Sequence, residues 1–387
     1  MTVATMNASW TDSKRYWWLL SPTLPLLVVV GLLNFQFNHA LIGDWGAWGT
    51  PILVYLVLPL LDYLKGTDRS NPPESAIAQL ERDTYYRWIV YAFVPIQYGV
   101  TAYGAWLAVQ PGTSWVAFAG LVLSIGMING VGINTAHELG HKRENVERWL
   151  ARIALAPVAY GHFFVEHNRG HHRNVATPED PASSRLGESF WAFLPRTMLG
   201  SLRSAWALER ERLARRGKRP LHWENENIQA WAMTVVVFGA LTFWLGWVVL
   251  PFLFLQAFYG ASLLEVVNYI EHYGLLRQKE TSGRYVRCEP QHSWNNNHII
   301  SNVFLYQLQR HSDHHANPMR RFQALRHFRD SPQLPAGYAG MLLPAYVPFV
   351  WYRLMNHRVL AHYNGDITKA NLQPSRRSAL LRRYGRA

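Results

Sequence analysis

The sequence predicts an all-α integral membrane protein, with six transmembrane helices and a histidine-rich helical cap on their cytoplasmic side. Three observations lead there. Six stretches are apolar over about the 20 residues that a helix needs to cross a bilayer. Lys and Arg are missing from one set of connections and crowded into the other. Nine of the 17 histidines fall into four clusters, all on the Lys/Arg-rich side.

Composition agrees. The 387 residues are long enough for two or three soluble domains, yet 14% are aromatic, 17 of them Trp, and only 16% are charged, against roughly 25% in soluble proteins. Mean hydropathy is close to zero because apolar blocks alternate with very polar ones. The single cysteine, Cys288, allows no intrachain disulfide and no CxxC metal knuckle, and reads as an incidental loop residue.

The spans lie near 17–37, 46–64, 86–109, 114–136, 229–249 and 250–271. The first follows Lys14 and Arg15, as a signal peptide would. Its apolar run is too long for one and no small-x-small cleavage site follows, so it reads as a retained helix. No Lys or Arg lies in the connections at 38–45, 110–113 or Gly246–Pro251. The opposite side carries Lys65, Arg69, Arg82 and Arg87, and the bases of 137–228 and 272–387. The positive-inside rule therefore puts both termini and both large polar segments in the cytoplasm. It also accounts for much of the net charge of +13 without nucleic acid. Residues 1–387 read as one membrane-embedded catalytic domain. Within it Trp206–Arg219 reads as a solvated charged helix, and the basic tail after Asn371 as poorly ordered.

The histidine clusters are HELGHK (His137, His141), EHNRGHH (His167, His171, His172), NYIEHYG (His272) and LQRHSDHH (His311, His314, His315). His137 and His141 are four apart, as are His167 and His171, and His311 and His315 with His314 on the same side. Residues so spaced share a helix face and can aim two imidazoles at one ion. One such pair is weak evidence for metal, but four clusters on one side of one membrane are strong evidence. Two ions of four or five ligands each would use all nine. Imidazole suits Zn, Cu, Fe and Ni alike, so the donors alone do not choose the metal. The lone cysteine excludes iron–sulfur ligation, and the Glu-x-x-His repeat of ferritin-like di-iron sites is missing.

Glu138, Glu166, Glu271 and Asp313 stand next to the histidines, Asn134 three residues before His137, and Asn268 four before His272. They are candidates to orient imidazole N–H groups. His162, His292 and His298 are reserve ligands. Glu265, seven residues before His272 and inside the sixth span, is either a cavity-lining or ligand-bonding carboxylate or one buried against a polar neighbour.

Together the four clusters resemble the membrane-bound alkane 1-monooxygenases, the non-haem di-iron alkane hydroxylases of bacteria. NYIEHYG and LQRHSDHH separate this family from the fatty-acid desaturases, which share the general histidine-box layout. NPPE (Asn71–Glu74), ATPEDPASSRLGES (Ala176–Ser189) and SWNNNHIISN (Ser293–Asn302) extend the similarity over most of the chain to Tyr338. The resemblance implies six spans in the inner membrane and two irons held by the nine histidines at a cytoplasmic site. It also implies O2 as co-substrate, 1-alkanol as product, and electrons from a rubredoxin fed by its reductase. Cys288 alone cannot build the four-cysteine iron site of a rubredoxin, so that donor is separate or lies outside this sequence. Rubredoxins are small and acidic, which makes Arg320, Arg321, Arg326 and Arg329 candidate docking contacts.

The chemistry agrees with that family. A terminal methyl C–H offers no polarity to acid or base, whereas iron with O2 and two electrons can break it. No side chain is then expected to be catalytic itself; the protein's part is binding, orientation and exclusion of side reactions. A narrow apolar tube presenting only the chain end would select the terminal carbon, with Ile133, Leu264 and Glu265 as candidate lining. A fatty-acyl desaturase or lipid hydroxylase shares the metals but takes a polar-headed substrate. A metal transporter is disfavoured because the histidines gather at one face rather than at mid-bilayer.

Overall fold

All regular secondary structure in the computed structural model, which describes residues 10–385, is helical; extended backbone forms only isolated bridges. Helices α1 (Trp17–Phe37), α2 (His39–Lys65), α3 (Thr84–Ala108) and α4 (Trp115–Gly140) precede the first large polar segment. That segment holds α5 (Asn145–Leu155), the helical run α6 (163–174) and α7 (Phe190–Ala214). Then come α8 (Glu226–Leu245) and α9 (Trp247–His272), split by Gly246 at φ 80°, a conformation that glycine adopts without strain. The last segment contributes α10 (His311–Ala316), α11 (Tyr338–Tyr346), α12 (Pro348–His362) and α13 (Arg377–Tyr384).

Five of these helices, α1, α2, α4, α8 and α9, are long and apolar enough to cross a membrane. The third expected span coincides with α3, whose 25 residues are long enough but less apolar. The reason is on its inner face. Gln97 donates to Asn129 Oδ1 (2.9 Å) and to the Ala154 carbonyl (3.0 Å), Tyr98 to the Ile153 carbonyl (2.8 Å), and Thr101 to Asn129 Oδ1 (3.1 Å). Asn129 in turn donates to Gln256 Oε1 (2.7 Å), and Gln256 to the Pro157 carbonyl (2.7 Å). This amide chain ties α3, α4 and α9 where there is no water to compete, each bond contributing roughly 0.6 kcal/mol.

The α4–α9 pair is the centre of the bundle. A Cβ on Gly260 would stand 2.7 Å from the Gly126 carbonyl oxygen, and one on Gly126 2.8 Å from that of Gln256. Only glycine allows the two backbones this close. Their polar ends carry His137 and His272, so the contact sets the spacing between two of the histidine clusters.

The basic tail is folded, contrary to expectation. The Leu186 N–H donates to the Asn371 carbonyl (2.6 Å) and the Gln373 N–H to that of Leu186 (3.0 Å), while Leu380 of α13 is buried. Leu372 and Leu380 supply the apolar anchors that a purely charged tail lacks.

Candidate metal centre

The nine histidines converge at the polar end of the bundle as two adjoining groups. His137, His141, His167, His172 and His314 form the first; His171, His272, His311 and His315 form the second. Within each, the donor nitrogens lie within 4.8 Å of one another. The groups touch through the rings of His172 and His315, 4.5 Å apart.

The partition corrects the sequence expectation in two places. His167 and His171, four apart, stack on one another (ring centroids 5.1 Å) but join different groups, in a segment, 167–171, that is a π-helical turn. Its wider winding brings i and i+5 together, so His167 Nε2 stands 3.0 Å from His172 Nε2 while His171 turns to the second group. In α10, His311 and His315 pair at 2.9 Å as expected, but His314 faces the first group, 2.8 Å from His137 Nε2 and 3.0 Å from His172 Nε2.

The donor set fits metal ions. In the first group Nε2 atoms follow one another at 2.8, 3.0, 3.0 and 3.1 Å, in the order His137, His314, His172, His167, His141. One ring nitrogen makes one in-plane hydrogen bond, so His314, His172 and His167, each facing two others, cannot be satisfied by imidazole alone. A central cation satisfies all five, and nitrogens about 2.0–2.1 Å from an ion sit about 3 Å apart when cis. In the second group His311 Nε2 lies 3.3 Å from His272 Nε2 and 3.2 Å from Glu271 Oε2, and His171 Nε2 is buried without a partner. Glu271 thus offers a carboxylate oxygen to the space that four imidazoles enclose. Burial, then the neighbouring imidazoles, holds His167, His172, His311, His314 and His315 well below the ordinary histidine range. They stay neutral, which is the form that binds metal.

Of the other residues expected to orient imidazoles, Glu271 meets His311 at its inward nitrogen, and Asn134, Glu138, Asn268 and Asp313 are engaged elsewhere. Asn134 donates to the Leu305 carbonyl (2.9 Å), Glu138 pairs with Lys142 (3.0 Å), and Asn268 donates to Glu265 (3.2 Å). Asp313 binds Arg320 (2.7 Å), Asn317 (2.7 Å) and the Arg326 N–H (2.8 Å). Glu166 is buried with Oε1 unpartnered. The carboxylate that bonds the outer nitrogen of a clustered histidine is one the sequence reading missed. Asp180 Oδ2 accepts from His171 Nδ1 (3.0 Å) and from Ser183 Oγ (2.6 Å), and its Oδ1 accepts from the Ala182 N–H (3.1 Å). Its place nine residues after His171, in a turn between two prolines, was the available signal.

Glu265 is a fully engaged buried acceptor, bonded by Tyr160 (2.7 Å), Thr197 (2.8 Å) and Asn268. Ile133 and Leu264 share one buried apolar cluster with Ala136, Phe163 and Val303, beside the first histidine group. The reserve histidines join neither group: His162 lies against Tyr160 (ring centroids 4.4 Å), His292 Nδ1 accepts from the Glu289 N–H (2.9 Å), and His298 contacts Asn296. Arg320, Arg321 and Arg326 are in ion pairs, with Asp313, Glu147 and Glu74. Burial pushes the Cys288 thiol up to about 11, as befits an unreactive loop cysteine.

Comparison with known proteins gives a consistent picture. The fatty acid desaturase family model matches residues 113–345. The chain is 49% identical over 374 residues to the alkane 1-monooxygenase of Acinetobacter baylyi, covering 97% of this chain and 92% of that protein. It is 45% identical over 378 residues to the alkane 1-monooxygenase of Pseudomonas putida, covering 97% and 92%. A more distant relative, 25% identical over 353 residues (89% and 88%), is the xylene/toluene monooxygenase hydroxylase component of Pseudomonas putida.

Proposed function

This chain belongs to the alkane 1-monooxygenase family, and from that premise we propose that it hydroxylates the terminal carbon of medium-chain n-alkanes, with two irons held by the nine histidines and electrons from a rubredoxin. The observation that carries this reading is the pair of adjoining histidine groups, five and four, buried at the end of an apolar bundle. The balance is RH + O2 + 2e⁻ + 2H⁺ → ROH + H2O. Bound iron supplies what no side chain can, the two-electron activation of O2 towards a C–H bond.

The chain's own residues supply the rest. The nine imidazoles would hold the irons, with the Glu271 carboxylate available at the second group. Asp180 fixes the His171 ring by accepting its Nδ1–H, which leaves Nε2 free for metal. Tyr160, Thr197 and Asn268 occupy the Glu265 carboxylate, so it presents no loose charge to an apolar substrate. Ile133 and Leu264 form apolar wall beside the first group, and they favour a chain that approaches end-on. Six spans, with α3 as the third, leave both termini and the metal face in the cytoplasm of the inner membrane. That is where a soluble electron donor docks and where a lipid-dissolved alkane arrives from the other side of the site.

The test is product analysis. Reconstituted protein with rubredoxin, its reductase, NADH and 18O2 is offered n-alkanes from about octane to hexadecane, lengths comparable to half a bilayer or more. The expected product is 18O-labelled 1-alkanol. A majority of 2-alkanol would overturn end-on approach while leaving the monooxygenase chemistry. Double bonds inserted into a fatty acyl substrate, without alkane turnover, would hand the site to a desaturase reading.

A further inference from the structure

Two elements outside the expected spans run alongside them rather than beneath them. α11 begins at Asp62, whose carboxylate lies against Gly337, passes Pro59 at Gly340 (3.9 Å to a glycine Cβ), and ends with Tyr346 against Tyr55 (hydroxyls 3.4 Å apart). Asp62, Pro59 and Tyr55 climb α2 away from Lys65. Tyr55 is ten residues from Lys65, about 15 Å of helix, or about half of a 30 Å hydrocarbon core. Tyr55 also bonds Tyr259 (2.7 Å), thirteen residues before His272 on α9. Tyr346 therefore sits deep among the spans, although neither α11 nor α12 crosses.

α7 reaches the same depth. The Trp191 indole N–H donates to the Tyr346 carbonyl (2.9 Å), and Phe190 packs on the Tyr346 ring (5.2 Å). Further along, Thr197 meets Glu265, seven residues before His272, and Glu209 meets Arg169 (2.6 Å) in the polar cap. α7 thus descends from mid-span to the cap. Trp191 to Arg203 is twelve residues, about 18 Å, close to one leaflet's depth of about 15 Å.

The outer faces of both elements are apolar and uncovered: Trp191 is 59% exposed, Leu199 54% and Phe349 69%, with Leu343, Val347 and Val350 also exposed. Arg196, the one cation near the deep end, is neutralised by Glu188 (2.8 Å) and donates to the Pro181 and Ser183 carbonyls. The cations left without an ion pair among the described residues begin farther along, at Arg203 and Arg210 on α7 and Arg353 on α12. We propose that the α11–α12 hairpin and the first half of α7 are half-spans that dip into the cytoplasmic leaflet, where acyl chains cover this face and lipid phosphates meet Arg203, Arg210 and Arg353. Lipid is the occupant because the face is continuous with the outward surfaces of α2 (Leu56, Leu60) and α9 (Phe258), which a bilayer already covers. The apolar-to-cationic order along each element matches the order from hydrocarbon to headgroup.

The leaflet's side rests on the Lys/Arg topology, so the test is chosen to be independent of it. In nanodiscs of phosphatidylcholine and phosphatidylglycerol both aqueous faces are open. On a Cys288→Ser background, nitroxides are placed at Phe349→Cys, Leu199→Cys, Val236→Cys on α8, and Ser282→Cys in an exposed polar turn. Power saturation then compares O2 with a water-soluble nickel chelate. Labels at 349 and 199 should match the lipid-facing 236 position, rich in O2 and shielded from nickel, and oppose 282. Nickel access at 349 and 199 equal to that at 282 would overturn the proposal. So would shielding from both reagents with dipolar broadening between labels, which would mean that a second copy covers the face.

Discussion

Replacing Asp180 by Asn tests the two histidine groups separately, because Asp180 bonds a histidine of only one of them. Its carboxylate is buried and accepts from His171 Nδ1 at 3.0 Å, from Ser183 Oγ at 2.6 Å and from the Ala182 N–H at 3.1 Å. Burial alone would raise its pKa, but His171 and Ser183 hold it below the usual carboxylate range, so it is an anion. Asn keeps the volume but loses the charge, and its amide turns a donor toward at least one existing donor. A charge-assisted bond of about 1.5–3 kcal/mol becomes a neutral one of about 1. Changes of this kind cost metal sites about 10–100-fold in affinity, or about 1.4–2.7 kcal/mol at 1.36 kcal/mol per decade. The loss should fall on the ion of His171, His272, His311 and His315, since no histidine of the other group bonds Asp180. Iron-loaded protein is titrated with chelator and the retained iron counted. The variant should show a plateau at one iron per chain over one to two decades of chelator, where the parent still holds two. Simultaneous loss of both irons, or a curve superimposable on the parent's, would refute the assignment of Asp180 to one ion.

Three further outcomes follow from the same geometry. His314→Ala and His315→Ala, adjacent in sequence, should each leave one iron per chain but deplete different groups. Their double variant should therefore lose both irons while His311→Ala/His315→Ala loses one, and equal losses from the two double variants would contradict the partition. Gly260→Leu places side-chain atoms where the Gly126 carbonyl already lies. It should prevent the α4–α9 contact and abolish the monodisperse peak in detergent chromatography, and a parent-like peak with full iron would show that the contact is dispensable. His162, buried and outside both groups, is held down to about 4 by burial. Above the unfolded value of about 6.5 it costs nothing. Below it the unfolded chain takes up a proton that the folded chain refuses until about pH 4, a loss on the order of 3 kcal/mol in all. The melting temperature should therefore fall from pH 7 to 5, and fall less in His162→Phe; parallel declines would disprove the role.

What the sequence disclosed follows the reach of local periodicity. The apolar blocks located five helices long and apolar enough to cross a membrane, and the four histidine clusters located the two histidine groups that converge in the fold, because both signals live within one or two turns of helix. α3 is less apolar than its neighbours because Gln97, Thr101 and Tyr98 spend polarity on inward bonds that composition reads as solvent exposure. In sequence, the natural candidates to orient each histidine are its neighbours. Adjacent residues on a helix point about 100° apart, however, and Glu138 accordingly turns to Lys142 rather than to a ring. Asp180 escaped notice because its bond to His171 closes a turn of nine residues rather than one helical step. The depth of α11 and α7 was hidden for a related reason: each is too short or too charged overall to register as a span, although half of it is apolar.

The π-turn at 167–171 also has a meaning for how this chain can change in length. A helical box normally tolerates substitution far better than a change in count, and here the count itself distributes the donors. His167 and His172 meet because five residues complete the turn, and His171 is released to the neighbouring ion by the same extra residue. Deleting any one residue from Asn168 to Gly170 would restore ordinary winding and rotate everything downstream by about 100°. The site would then be miscounted, one ion over-supplied and the other starved, with every histidine still present in the sequence. For this segment the spacing is the message, and an alignment gap would be a more damaging change than the loss of a side chain.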